Sequence, residues 1–372
     1  MEKYAVPDYQ NSVINVTGSI LKHYHVETRL ASLPNLDAEL SKGYKNVVLF
    51  LVDAMGSFAI KRFLSKKAAL NINKRSDITS VFPSTTVAAT TAVISGKSPI
   101  ESGWIGWSQY FHEEDKTIIL FHNTDYYDDS IAIDHPIADT VLNYQSIYAQ
   151  IEAANADVNT HELFPAFRIP EHDTVEKLCQ AIIKTTQTPG KNFIYAYWDK
   201  LDTIMHQYGP SSREAKLMVR QINEAYQRMI ESLTDDTIVI VIADHGQVAV
   251  KPLPLKNYPD LEETFLHKPS VESRMTAFFI KPDQKEIFVS RFQKHFKNKY
   301  VLYSADEVIQ KGWFGHGISH PRFREFLGDY LAIAIGHYYF QLLEYPIAMK
   351  GQHASILFDE MMVPLIVHSP KK

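Results

Sequence analysis

The chain has 372 residues, of which 45% are hydrophobic and 22% charged, so it is long enough for two or three globular domains and is not disordered. Its 38 basic and 43 acidic residues give a net charge of −5, which argues against a partner of duplex nucleic acid. A single cysteine, Cys179, excludes an internal disulfide and is expected to be a small buried side chain.

No targeting or membrane segment is apparent in the sequence. Residues 1–10 lack the basic patch and apolar run of a signal peptide. No apolar run reaches the roughly 20 residues that a membrane span needs. We therefore expect a cytoplasmic protein without a membrane partner.

Short apolar runs of strand length alternate with helical segments along most of the chain. The first run, Asn46–Val52, is continuously apolar, as in a strand covered on both faces. This alternation predicts a doubly wound, mainly parallel α/β sheet flanked by helices, with functional groups at the carboxyl ends of its strands. The other runs are Thr117–Phe121, Asn192–Trp198, Thr237–Ala243, Tyr330–Ile335 and Val363–Val367. The helical segments are Val87–Ser95, Ile137–Ala154, Thr174–Lys184 and Ser212–Leu233.

Residues 251–315 differ in composition from the rest of the chain. A proline-rich stretch is followed by an apolar run at Met275–Ile280, a lysine-rich helix near Glu286–Phe296 and a short run at Tyr300–Tyr303. This order predicts a small inserted α+β cap. The α/β core would then consist of residues 1–250 and 316–372.

Two of the predicted strands end in acidic residues followed by glycine. Asp53 comes directly after the first strand, and Asp244 and His245 come after the strand at Thr237–Ala243. Such side chains at a sheet edge are well placed to bind a cation. For Asp53 the alternative is a helix cap.

A cluster of hydroxyl groups precedes the helix that ends at Gly96. Ser84, Thr85 and Thr86 follow Pro83, where the free N–H groups of the helix start would favour a phosphate group. A hydroxyl here could also attack phosphorus if a metal ion lay beside it. Simple N-capping is the alternative.

Asp202 and His206 are four residues apart, which places both on one face of a helical turn. This spacing suits two ligands of one metal ion, and a surface ion pair is the alternative. His353 lies in a loop of small residues before the last strand and could deliver a ligand to the same edge.

Taken together, these segments resemble the alkaline phosphatase superfamily, and within it the nucleotide pyrophosphatase/phosphodiesterase branch. The resemblance extends over about residues 45–370 and depends on the order of Asp53, Phe82-Pro-Ser-Thr-Thr86, Asp202-x-x-x-His206, Asp244-His245-Gly246 and Gly351-x-His353. It implies an alkaline-phosphatase-like fold and two divalent metal ions, zinc or alternatively manganese.

The resemblance also implies a role for each of these residues. One ion would be held by Asp202, His206 and His353, and the other by Asp53, Asp244 and His245. Thr86 would be the nucleophile and would form a phosphothreonine intermediate. The small phosphorylated substrate would then be hydrolysed by a phosphodiesterase or nucleotide pyrophosphatase mechanism.

The chain departs from this branch around the substrate. Val87 stands where a phenylalanine usually stacks on a nucleobase, and Trp107 where an asparagine usually binds a phosphoryl oxygen. No arginine lies close after Thr86 in the sequence, whereas the phosphomonoesterase branch has one near its nucleophile. Trp104 and Trp107 could line a substrate pocket or pack against the sheet edge. Lys97 or a cap lysine could replace the missing donor.

These departures leave rival functions open. A phosphonate or phosphomonoester hydrolase could use the same metal ligands and nucleophile. A binding module that has lost its chemistry is a third hypothesis, but a complete set of ligands with Thr86 argues against it.

Overall fold

The computed structural model describes residues 4–343 and 348–370, and most of the strands in them belong to two sheets. In chain order the strands are β1 (Asn46–Val52), β2 (Lys74–Thr79), β3 (Ser108–Phe111), β4 (Lys116–Ile119), β5 (Thr124–Asp125), β6 (Val158–Leu163), β7 (Lys191–Trp198), β8 (Thr237–Ile242), β9 (Val248–Ala249), β10 (Lys251–Pro254), β11 (Phe265–Val271), β12 (Met275–Ile280), β13 (Tyr300–Ser304), β14 (Tyr330–Ala334), β15 (Tyr338–Gln341), β16 (Gly351–Gln352) and β17 (Met362–His368).

The helices are distributed along the whole chain. They are α1 (Val13–His23), α2 (Pro34–Leu40), α3 (Ser57–Phe63), α4 (Ala69–Asn73), α5 (Thr86–Ser95), α6 (Pro99–Ser102), α7 (Ile137–Thr140), α8 (Ile147–Ala154), α9 (Val175–Thr186), α10 (Lys200–Tyr208), α11 (Arg213–Ser232), α12 (Pro259–Glu262), α13 (Lys285–Phe296), α14 (Ala305–Gln310), α15 (Phe323–Phe326) and α16 (Phe358–Met361). Among the described residues, no helix has both the length and the apolar character required to cross a bilayer.

A six-stranded sheet with the order β2-β17-β8-β1-β7-β6 forms the core. The four strands β8, β1, β7 and β6 are parallel, whereas β17 is antiparallel to β8 and β2. All seven residues of β1 are buried because helices cover both faces of the sheet, which suits its unbroken apolar sequence. The predicted α/β fold with a largely parallel sheet is confirmed.

Amphipathic helices cover this sheet. In α11 the buried residues recur every three or four positions, so one face packs inward while charged residues occupy the other. Cys179 is buried in α9, as expected. The predicted helix Ile137–Ala154 is instead two helices, α7 and α8, and α8 starts where the Ser146 hydroxyl accepts a hydrogen bond from the N–H of Ala149.

A second, antiparallel sheet has the order β13-β14-β12-β11-β3-β4-β5. Two predicted strands, Thr117–Phe121 and Tyr330–Ile335, lie in this sheet as β4 and β14, so their expected place in the parallel sheet was wrong. An apolar run predicts a strand but does not predict which strands it pairs with. In the structure β14 pairs with β12 and β13. The second sheet thus takes strands from outside 251–315, and the cap boundaries stay a prediction.

Candidate active site

The parallel register of the core sheet brings the candidate residues to one edge. Val52 of β1 pairs with Trp198 of β7, and the N–H of Asp53 donates to the carbonyl of Trp198 at 2.9 Å. On the other side of β1, β8 runs in the same direction and ends just before Asp244. Because the carboxyl ends of neighbouring parallel strands coincide, groups distant in sequence meet here.

Asp53, Asp244 and His245 form one group of possible metal ligands, called here the Asp53 cluster. His245 Nε2 lies 3.5 Å from Asp53 Oδ1 and 3.6 Å from Asp244 Oδ2. Both of these carboxylate oxygens are buried and have no hydrogen-bond partner among the described residues. Unpaired buried oxygens that converge on an imidazole nitrogen fit a bound cation.

Asp202, His206 and His353 form a second group, called here the His353 cluster. His206 Nε2 lies 3.1 Å from Asp202 Oδ2, and His353 Nε2 lies 3.8 Å from Asp202 Oδ1. Asp202 and His206 share one face of α10, as predicted, but both side chains are mostly buried and are not a surface ion pair.

The two clusters share a border. The rings of His245 and His353 stack with centroids 3.7 Å apart. Oxygen and nitrogen donors in this pattern suit zinc or manganese. The six predicted ligands are therefore brought together as two adjacent sites.

Each of the three histidines directs Nδ1 to a backbone carbonyl. His206 Nδ1 is 2.8 Å from the carbonyl of Gly351, and His245 Nδ1 is 3.0 Å from that of Gly246. His353 Nδ1 lies 3.3 Å from the carbonyl of Ser84. Since a carbonyl only accepts, Nδ1 donates in each of these contacts, and Nε2 is the ring atom that would face a metal ion.

The pKa values of the clustered groups are consistent with a site for a cation. Burial, followed by the charges of Asp244 and Asp202, raises the pKa of the Asp53 carboxyl well above its usual value. Burial also raises the pKa of Asp244, although the neighbouring His245 acts in the opposite direction. Burial and then His245 hold the pKa of His353 well below its usual value, which leaves its ring neutral. A divalent cation would relieve the repulsion between the buried carboxylates.

Thr86 is the first residue of α5 and faces the Asp53 cluster. Its hydroxyl lies within hydrogen-bonding distance of His245 Nε2, at 3.1 Å. Thr85 is the N-cap residue, but its hydroxyl makes no capping bond and donates instead to Glu272 Oε1 at 2.7 Å. Asp53 is not a cap either, because α3 starts after Gly56. The alternatives of simple capping are therefore not observed.

Close packing around position 246 explains why glycine follows the Asp-His pair. A Cβ atom at this position would collide with the backbone carbonyl of Asp359, which precedes β17. The Gly246 N–H donates to the carbonyl of Glu360 at 2.8 Å. The turn after His245 thus packs directly against the segment that leads into the last core strand.

Sequence reasoning missed two side chains that orient the carboxylates of Asp53 and Asp202. The Tyr197 hydroxyl donates to Asp53 Oδ2, and Gln247 Nε2 donates to Asp202 Oδ1. The Tyr197 bond leaves Asp53 Oδ1 without a hydrogen-bond partner in the described structure, whereas Asp202 Oδ2 faces His206 Nε2 at 3.1 Å. Their signal in the sequence was their position, because Tyr197 is next to the end of β7 and Gln247 is two residues after His245.

Tyr197→Phe is expected to weaken divalent-cation binding by about 10- to 100-fold, because Asp53 loses the donor that orients it. Competition with a chromophoric chelator would measure the affinity. Tyr195→Phe is the matched control, since the Tyr195 hydroxyl is buried without a hydrogen-bond partner in the described structure. Equal affinities of the two variants would contradict an orienting role for Tyr197.

Glu272 is the third residue that the sequence did not reveal, since it belongs to no motif. It follows β11 in the second sheet, and its Oε1 accepts hydrogen bonds from the Thr85 hydroxyl and, at 2.8 Å, from the N–H of Trp107. Burial raises its pKa to about 7, although His245 and His206 act to lower it. The second sheet therefore places a carboxylate beside the start of α5.

The two predicted pocket tryptophans differ in their surroundings. Trp104 is 5% exposed, and its indole N–H donates to the carbonyl of Leu142 at 2.8 Å, so this ring packs inside the protein. Trp107 is 38% exposed, and its ring lies 5.9 Å from that of Phe121 and 5.4 Å from that of His122. Only Trp107 offers a substantial surface to a ligand.

Comparisons with solved structures support the fold. Murine ectonucleotide pyrophosphatase / phosphodiesterase 5 is 16% identical with a TM-score of 0.65, and the similarity covers 87% of each chain. Phosphonoacetate hydrolase from Sinorhizobium meliloti 1021, in complex with phosphonoformate, is 13% identical with a TM-score of 0.62, covering 86% of this chain and 89% of that one.

Sequence comparisons identify the family. Over 84 residues, 22% of this chain, the sequence is 27% identical to the human GPI ethanolamine phosphate transferase 3, catalytic subunit, and the match spans 8% of that protein. A model of the type I phosphodiesterase / nucleotide pyrophosphatase family matches residues 47–353, which include both ligand clusters and Thr86. The chain therefore belongs to the type I phosphodiesterase / nucleotide pyrophosphatase family.

Proposed function

We propose that this protein hydrolyses diesters or pyrophosphate bonds of small phosphorylated molecules, with Thr86 as nucleophile and two divalent metal ions, zinc or alternatively manganese. The observation that carries this proposal is the hydroxyl of Thr86 at 3.1 Å from His245 Nε2, at the border of two buried ligand clusters. The unpaired oxygens of Asp53 and Asp244 support the presence of a cation.

The Asp53 cluster would hold one ion and the His353 cluster the other. When bound, such a pair of ions stabilises charge on the attacking and leaving oxygens of an in-line displacement. Thr86 starts a ten-residue helix, and the free N–H groups of its first turn would stabilise negative charge on a phosphoryl group bound there.

The reaction would proceed in two steps. In the first, Thr86 Oγ1 forms a bond to phosphorus, its proton passes to solvent, and the bond from phosphorus to the leaving oxygen breaks. The leaving oxygen takes a proton from water. In the second, water attacks the phosphothreonine, the bond from Oγ1 to phosphorus breaks, and Thr86 regains a proton. The exposed ring of Trp107 would contact an organic group of the substrate, whereas Trp104 would have a packing role.

A substrate panel tests this function. The metal-loaded protein is expected to hydrolyse bis(p-nitrophenyl) phosphate with a kcat/KM at least about tenfold higher than that for p-nitrophenyl phosphate, because no arginine follows Thr86 to bind the extra charge of a monoester. Release of p-nitrophenolate gives both rates. A preference for the monoester would contradict a phosphodiesterase.

A phosphonate hydrolase is the second candidate. The likeness to phosphonoacetate hydrolase in fold and the valine at position 87 favour including it. Phosphonoacetate therefore belongs in the same panel, with release of inorganic phosphate as the measurement. Phosphate release from it at a higher kcat/KM than that for the diester would favour this alternative.

A further inference from the structure

We propose that Glu272 determines the specificity of this site by disfavouring dianionic phosphate monoesters relative to monoanionic esters. The inference rests on the proposed function, because it concerns the substrate that reaches Thr86. It assigns to the second sheet a direct part in substrate selection.

The position of Glu272 carries the inference. Its Oε1 is 2.7 Å from the hydroxyl of Thr85, the residue before the proposed nucleophile Thr86. The same oxygen accepts a hydrogen bond from the backbone N–H of Trp107. The exposed side chain of this residue is proposed to contact the substrate. The carboxylate therefore bridges the start of α5 and the backbone of Trp107, next to the proposed nucleophile.

The surrounding backbone is shaped around this side chain. A Cβ atom on Gly106 would lie 2.5 Å from Val271 Cγ1 and 3.1 Å from Glu272 Cγ. Only glycine therefore allows the segment before Trp107 to approach so closely that its N–H reaches Glu272. Among the described residues, Oε2 of Glu272 accepts no hydrogen bond and no lysine or arginine forms an ion pair with this carboxylate.

An uncompensated carboxylate discriminates between substrates by charge. Burial raises the pKa of Glu272 to about 7, although the hydrogen bonds from Thr85 and Trp107, and then the charges of His245 and His206, act to lower it. Bound dications would lower this pKa further. At about pH 8 the loaded protein therefore carries an anionic Glu272. Each unit of negative charge on a substrate a few ångströms away is repelled, so a dianion is disfavoured by about tenfold more than a monoanion.

Glu272→Gln removes the negative charge of this side chain while keeping its two hydrogen bonds, so it tests the effect of the charge alone. The amide oxygen can still accept hydrogen bonds from Thr85 and Trp107, so the loop and the start of α5 stay in place. The substrates are bis(p-nitrophenyl) phosphate, p-nitrophenyl methylphosphonate and p-nitrophenyl phosphate, which share a leaving group but have one, one and two negative charges. We expect kcat/KM for the dianion to rise about tenfold, and that for both monoanions to change by less than about threefold.

Binding gives a readout that does not depend on turnover. In the Thr86→Ala background, calorimetry would compare phenyl phosphate with diphenyl phosphate on the metal-loaded protein. Adding Glu272→Gln is expected to tighten the first complex about tenfold and leave the second unchanged. Glu262→Gln is the matched control, because it removes the same charge from an exposed residue of α12 and should change neither affinity.

A second variant tests the proposal if the Glu272→Gln protein does not fold. Glu272→Ala also removes the charge but loses both anchoring hydrogen bonds, so all rates fall while the ratio of diester to monoester kcat/KM still drops. If the wild-type protein hydrolyses the diester but neither variant changes this ratio, the proposal that Glu272 determines specificity is wrong, whereas the proposed function stands. If the wild-type protein hydrolyses none of the three esters, the proposed function itself fails.

Discussion

Thr86→Ala is expected to lower kcat for bis(p-nitrophenyl) phosphate by about 10⁴-fold or more, with unchanged metal content. The substitution removes the proposed attacking oxygen, and loss of the nucleophile can lower kcat by about 10⁶-fold in enzymes that form a covalent intermediate. None of the six clustered ligands is altered, so elemental analysis should find the same metal-to-protein ratio. Steady-state release of p-nitrophenolate would give the rates.

Thr86→Ser is the matched control for this prediction, because it keeps a hydroxyl at the start of α5. Its kcat should stay far above that of the alanine variant. Acid quenching during turnover of a ³²P-labelled diester should yield labelled protein in the wild type and none in Thr86→Ala. An alanine variant that retained more than about a tenth of the activity would show that water attacks the substrate directly.

The core of the site was predictable because its geometry follows from strand ends. Asp53 and Asp244 each come directly after an apolar run, and parallel register forces such positions together. The spacing of Asp202 and His206 likewise needs only a helical turn to bring both side chains to one side. Local patterns therefore indicated where these four side chains would lie, whereas the grouping of all six candidate ligands depended on the resemblance to a family, and neither revealed Tyr197 or Gln247.

The second sheet was not predictable from local patterns. The pairing of β11 with β3, at Val271 and Ser108, joins segments that are far apart in the chain. This pairing places Glu272 beside Trp107, whose N–H donates to its carboxylate, and no property of the residues around Glu272 in sequence signals a place in the site. Apolar periodicity identifies strands but leaves their partners open, so the contribution of this sheet required the three-dimensional structure.

The last prediction concerns the ion pair that ties the two sheets together. Arg274, just before β12, and Glu360, just before β17, form two hydrogen bonds of 2.7 Å, and both side chains are 0% exposed. Arg274→Met should lower the free energy of unfolding by about 3–5 kcal/mol, because it leaves the Glu360 carboxylate buried without its counter-charge. Urea unfolding of the metal-free protein would measure the loss.

A surface pair and a double variant separate loss of the partner from loss of the contact. Arg228→Met breaks the pair that Arg228 makes with Glu176, whose side chains are 57% and 37% exposed, and should destabilise the protein far less than Arg274→Met does, because solvent screens an exposed pair. Arg274→Met combined with Glu360→Gln should cost less than Arg274→Met alone, since the amide is neutral yet can still accept from the N–H of Ser355. A double variant at least as unstable as the single one would mean that the pair holds the sheets together by its geometry, and that burial of an unpaired charge is not the cause.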